Sequence, residues 1–77
     1  MRLTKIQKHL KKLGVDYTYS ENYGCGEITF EHNGKNHHIA EITGNKGNTI
    51  VGVVMGKRSY PTSQKNIISN IDYILKE

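Results

Sequence analysis

The sequence predicts an α+β domain: an antiparallel sheet of three to four strands flanked by an N-terminal and a C-terminal helix, α-β-β-β(β)-α, with the helices covering one sheet face. Three observations predict it. Leu3, Ile6, Leu10 and Leu13 recur at spacings of three and four, the period of one helix face. Between Gly24 and Met55, three short runs of β-branched and apolar residues are separated by Asn33-Gly34 and by Gly44-Asn45-Lys46-Gly47, both of which read as turns. Ile67, Ile68, Ile71, Ile74 and Leu75 then repeat the helical period near the end. Residues 1–77 are expected to form one domain, near the lower size at which a hydrophobic core suffices without a staple.

The first helix has Thr4 followed by Gln7, the form of a capping box in which hydroxyl and amide satisfy free N–H groups at the helix start. Gly14 is expected to close it in a left-handed conformation, with Val15 packing back onto Leu10. Its outward face carries Lys5, Lys8, His9, Lys11 and Lys12, the densest basic patch in the chain. Val15, Tyr17 and Tyr19 alternate with Asp16, Thr18 and Ser20, which predicts a first strand. Glu21 to Gly26 reads as a loop around Gly24-Cys25-Gly26, and Tyr23 beside it offers a ring for base stacking.

Asn33-Gly34 predicts a two-residue hairpin turn, because both central residues of that turn need positive φ. It pairs Phe30 with His37, Thr29 with His38 and Ile28 with Ile39. Across the second turn the expected pairs are Glu41 with Ile50, Ala40 with Val51 and Ile39 with Gly52. One face then holds Ile28, Phe30, Ile39, Ile50 and Val54 as core. The other holds Thr29, Glu31, His38, Ala40, Ile42, Val51, Val53 and Met55, too apolar on its last strand to be plain solvated surface. Either a bulge switches faces midway, or this face is a contact surface for a partner or a second copy. Lys57 and Arg58 beside Tyr60 combine charge with an aromatic ring, and Thr62 or Ser63 is expected to cap the last helix.

Composition limits the function classes. A single cysteine excludes an internal disulfide and a four-thiolate metal site. The apolar residues after Met1 are spaced by lysines instead of running together as in a secretory signal, and no apolar run approaches bilayer-spanning length. A cytoplasmic setting without membrane association is expected, and no metal or other cofactor. The net charge of +4 suits a polyanionic partner, although nine of the eleven basic residues are Lys, a phosphate contact without the geometry of Arg. His32, His37 and His38 cluster in sequence, but adjacent strand residues point to opposite faces and cannot share one ion. No nucleophile with a matching base and no phosphate-cradling glycine motif is present.

The first helix ending in Lys11-Lys12-Leu13-Gly14-Val15-Asp16, then Gly24-Cys25-Gly26-Glu27, Phe30, His32, Gly34 and the helix from Pro61 to Leu75, resemble the double-stranded-RNA-binding fold and, within it, the HicA toxins, small ribonucleases of toxin–antitoxin pairs. The resemblance implies the helix–sheet–helix fold and an RNA partner. Gly26 and Glu27 stand where those toxins carry a catalytic histidine.

These readings point to a non-catalytic binding module. In the first, Lys5, Lys8, Lys11, Lys12, Lys57 and Arg58 contact the phosphates of RNA or DNA and Tyr23 or Tyr60 stacks. In the second, the chain is a protein-binding inhibitor or adaptor of the kind mobile elements encode, or a homodimer, acting through a sheet face around His38, Ala40, Val51, Val53 and Met55. A HicA-like ribonuclease is the third.

Overall fold

The computed structural model describes residues 2–44, 49–56 and 60–76. The order is α1 (Thr4–Lys12), β1 (Tyr17–Asn22), β2 (Cys25–His32), β3 (Lys35–Thr43), β4 (Ile50–Met55) and α2 (Gln64–Leu75). The four strands form one antiparallel sheet in the order β1-β2-β3-β4. Leu3, Ile6 and Leu10 from the α1 segment, Ile67 and Ile71 from α2, and Ile28, Phe30, Ile39, Val53 and Met55 from the sheet make the core. Both helices therefore lie on one sheet face.

The C-terminal end of α1 closes as expected. Gly14 takes a φ of 73°, its N–H donates to the Lys11 carbonyl at 3.1 Å, and the Val15 N–H donates to the Leu10 carbonyl at 3.0 Å. These are the two bonds of a Schellman motif. Leu13, expected on the apolar face, is instead 45% exposed, because the helix ends at Lys12 and the chain turns away there.

The N-terminal end differs from the capping box. The flanking residue is Leu3, left-handed at φ 55° and without a side-chain cap. The acceptor for the free helix donors comes from the other helix: Gln64 Oε1 takes the N–H groups of Lys5 at 3.1 Å and Ile6 at 3.3 Å. Gln7, buried, accepts from no described helix N–H group. Its amide donates to the Arg2 carbonyl at 2.7 Å and its oxygen accepts from the Tyr17 hydroxyl at 2.9 Å.

The segment read as a loop from Glu21 to Gly26 is a second tight hairpin. Asn22 pairs with Cys25 around Tyr23 and Gly24, whose φ values are 53° and 78°, nearly those of Asn33 and Gly34 at 52° and 78°. Two positive φ values make both turns type I′, whose twist matches that of the strands. The β2–β3 register is the expected one, with Phe30 opposite His37 and Ile28 opposite Ile39.

The last hairpin is displaced by three residues. Ile39 faces Met55, Ala40 faces Val54, Glu41 faces Val53 and Ile42 faces Gly52, and the register shifts between Ile42 and Thr43, leaving Val51 as the extra residue of a bulge. An odd displacement sends every side chain to the other face. Val53 and Met55, expected on the open face, are core residues, whereas Val54 lies opposite Ala40 and is only half-buried. Gly52 permits the chain to return along β4: a Cβ there would lie 2.6 Å from that of Pro61. Thr62 then exchanges two backbone bonds of 2.8 Å with Val53, covering the outer edge of β4.

Glu41 shares the core side of β3, with its side chain 7% exposed, and is satisfied by the Arg2 guanidinium at 2.5 Å and the Gly26 N–H at 2.8 Å. This bond, followed by the attraction of the carboxylate's charge, raises the Arg2 pKa above its ordinary value. Gly26 leaves room for the approach, since a Cβ on it would lie 3.1 Å from that of Arg2.

Candidate functional site

α1 and α2 lie side by side, tied at one end by Gln64 and further along by a hydrogen bond of 2.6 Å between His9 Nε2 and Asp72 Oδ1. A shallow groove lined by Lys5, Lys8, His9, Lys12, Lys65 and Ile68 runs between them. Lys5, Lys8 and Lys12 reach it because their spacing of three and four places them on one stripe of α1. Lys65 reaches it from the first turn of α2, set by the Ser63 cap, whose hydroxyl accepts from the Asn66 N–H at 3.2 Å.

The contacts between basic side chains and carboxylates among the described residues are the Arg2–Glu41 ion pair and the contacts of His9 with Asp72 and of His38 with Glu27. None uses a lysine, so among the described residues the four groove lysines have no carboxylate within ion-pair distance. Their arrangement costs stability. Like charges three or four apart on a helix repel by about 0.2–0.5 kcal/mol per pair, which applies to Lys5 with Lys8 and Lys8 with Lys12. Lys5 and Lys65 both stand in first turns that contain no acidic residue, where the helix dipole disfavours a cation. A preference of lysine for helix C-termini accounts for Lys12 but not for these two. An anion in the groove would relieve both the mutual repulsion and the dipole penalty.

The other residues proposed from sequence are dispersed. Lys11 faces away from this groove and lines a second one, beside β1, with Gln7, Val15, Tyr17 and Tyr19. Tyr23 is fully exposed at the β1–β2 turn and Tyr60 largely so before Pro61, and neither lines the lysine groove. Lys57 and Arg58 lie outside the described residues. Sequence reasoning missed Lys65 as a groove residue, and its only signal was a position two residues after the cap.

Of the residues assigned to a protein-binding face, Val53 and Met55 must be removed, since they are buried beneath the helices. Val51 is exposed at the bulge. His38 and Ala40 do lie on the open face, where His38 contacts the Thr29 hydroxyl at 3.0 Å through Nδ1 and Glu27 at 3.3 Å through Nε2. That face is thus lined largely by paired polar groups around Ala40, Ile42 and Val54. His37 points the other way, its ring 5.1 Å from that of Phe30. No group of three His, Cys, Asp or Glu side chains among the described residues is placed to hold a metal ion. No described helix is long and apolar enough to cross a membrane.

No protein-family model matches the chain, and no solved structure matches it. The chain is similar to the bifunctional protein GlmU of Geobacillus sp. (strain WCH70), at 33% identity over 69 residues. The match takes in 82% of this chain but 15% of that relative's length.

Proposed function

We propose that this protein binds the phosphate backbone of nucleic acid through the groove between α1 and α2. The observation that carries the reading is the convergence of Lys5, Lys8, Lys12 and Lys65 on one surface, where none of them forms an ion pair among the described residues. Two of the four occupy positions that the helix dipoles make unfavourable for cations. A ridge of phosphates is the polyanion whose spacing suits lysines repeated along one helix stripe, and lysines as point charges contact phosphate without reading base sequence. The resemblance of the sequence to the double-stranded-RNA-binding fold makes duplex RNA the first probe, since duplex RNA is recognised by shape and backbone.

Four phosphate contacts imply a slope of log affinity against log salt of about −3 to −4, or a loss of roughly a hundred-fold between 50 and 200 mM salt. Fluorescence anisotropy with labelled duplex RNA, duplex DNA and single strands at several salt concentrations measures it. Absence of saturable binding at the lowest salt would remove the reading. Gel analysis of the same samples reports on the ribonuclease alternative, for which shortened RNA is the required result.

A further inference from the structure

The two edges of the sheet are treated differently. The outer edge of β4 is capped at its middle by Thr62, which exchanges two 2.8 Å backbone bonds with Val53. Among the described residues, the outer edge of β1 has no such cover. Its sequence, Tyr17-Thr18-Tyr19-Ser20-Glu21-Asn22, contains no lysine and no proline, and its pairing with β2 is uninterrupted by a bulge. Those are the devices by which exposed edges resist pairing with another chain.

The free groups on this edge can be assigned. In a two-residue type I′ hairpin the residues flanking the turn, Asn22 and Cys25, exchange both of their backbone bonds, and bonded pairs then alternate along the ladder. Ser20 and Thr18 face β2, whereas the N–H and C=O of Tyr17, Tyr19 and Glu21 point outward. No backbone bond from elsewhere among the described residues reaches these three. Alongside runs the groove lined by Gln7, Lys11, Gly14, Val15, Tyr17 and Tyr19.

We propose that β1 is a dimerisation edge, on which a second copy of this chain pairs antiparallel through its own β1 about a two-fold axis at Tyr19. The result is a continuous eight-stranded sheet, two four-stranded halves joined edge to edge, with all the helices on one face. The register follows from the outward residues. Centred on Tyr19, the pairing sets Tyr17 opposite Glu21 of the second copy and Tyr19 opposite Tyr19, so all the outward groups are used. Centred on Thr18 or Ser20, it strands one outward residue in each copy.

Charge selects the same register. Residues directly opposite share a sheet face, with Cβ atoms about 4.5–5.5 Å apart. Glu21 of the second copy therefore stands on the helix side beside Tyr17, which shares its groove with Lys11. Lys11 forms no ion pair among the described residues, and neither does Glu21, whose carboxylate lies near the Tyr19 hydroxyl and Arg2 of its own chain. The two-fold axis makes the Glu21–Lys11 contact twice.

Sedimentation equilibrium tests the proposal on the full chain. The wild-type protein is expected at twice its 8.7 kDa chain mass. Because each reversal acts at two symmetric contacts, Glu21→Lys and Lys11→Glu alone should each raise the dimer dissociation constant by about tenfold or more. The double variant should restore it. Glu21→Pro removes an outward N–H without breaking a β1–β2 bond and should give a monomer whose far-ultraviolet circular dichroism matches the wild type. A wild-type monomer at the highest attainable concentration would overturn the proposal. So would a dimer indifferent to Glu21→Pro, and a double variant no better associated than either single one would overturn the register.

Discussion

Replacing Gln64 by Ala tests how the helix pair is held together. Gln64 belongs to the first turn of α2, yet its carbonyl oxygen serves as the cap of α1, accepting from Lys5 N at 3.1 Å and Ile6 N at 3.3 Å. Leu3, at the flanking position, has no side-chain acceptor to take over. A neutral hydrogen bond contributes about 1 kcal/mol net and a lost cap about the same. The Lys5 bond is exposed, so water replaces part of it, and alanine recovers a few tenths through helix propensity. The expected cost is about 1–2 kcal/mol. A 77-residue chain unfolds with an entropy of about 0.16 kcal/mol per kelvin near its midpoint, so Tm should fall by about 6–12 °C. Gln64→Glu keeps the acceptor and places a negative charge at the α1 N-terminus, and should hold Tm or raise it. Thermal melts followed by circular dichroism measure both. A Gln64→Ala protein melting with the wild type would refute the inter-helix cap.

Two other substitutions probe the sheet. Gly52→Ala puts a Cβ 2.6 Å from that of Pro61 and should detach the Thr62 bridge, at about 1–3 kcal/mol in chemical denaturation; an unchanged denaturation midpoint would contradict the close approach. Tyr23→Asn places a residue that tolerates the left-handed conformation at φ 53° on a fully exposed turn, and should stabilise the protein by about 0.5–1 kcal/mol while leaving the hairpin register intact. A destabilised Asn variant would mean that the tyrosine ring contributes to the fold.

Much of the architecture was legible because it rests on local rules. The Asn33-Gly34 dipeptide encodes its turn, and the apolar stripes of α1 and α2 encode their buried faces. The β1–β2 hairpin was not legible, because a tyrosine occupies a left-handed position that sequence rules reserve for Asn, Asp or Gly, and Gly24-Cys25-Gly26 then reads as a loop. The β4 register failed for another reason. The expected turn at Gly44 to Gly47 falls on residues outside the described ones, and the bulge at Val51 with an odd displacement places Val53 and Met55 in the core instead of Ile50 and Val54. Gly52 carried a usable signal, since glycine within a strand marks a bulge or a close backbone approach. The site shows the same division. Lys5, Lys8 and Lys12 share a helix stripe that the sequence displays. Lys65 joins them only through the packing of α2 on α1, and Lys11, adjacent in sequence, is carried to the β1 side.

On the proposed reading the groove between α1 and α2, and not net charge, binds the nucleic acid backbone. This reading is tested most directly by comparing two variants of equal charge in the anisotropy titration with duplex RNA: Lys8→Glu with Lys12→Glu, and Lys35→Glu with Lys76→Glu, the second pair being exposed lysines that do not line the groove. The groove variant is expected to lose saturable binding and the control to keep affinity within a few-fold of the wild type, with an unchanged salt slope. Equal losses in the two variants would mean that binding follows net charge and not the groove.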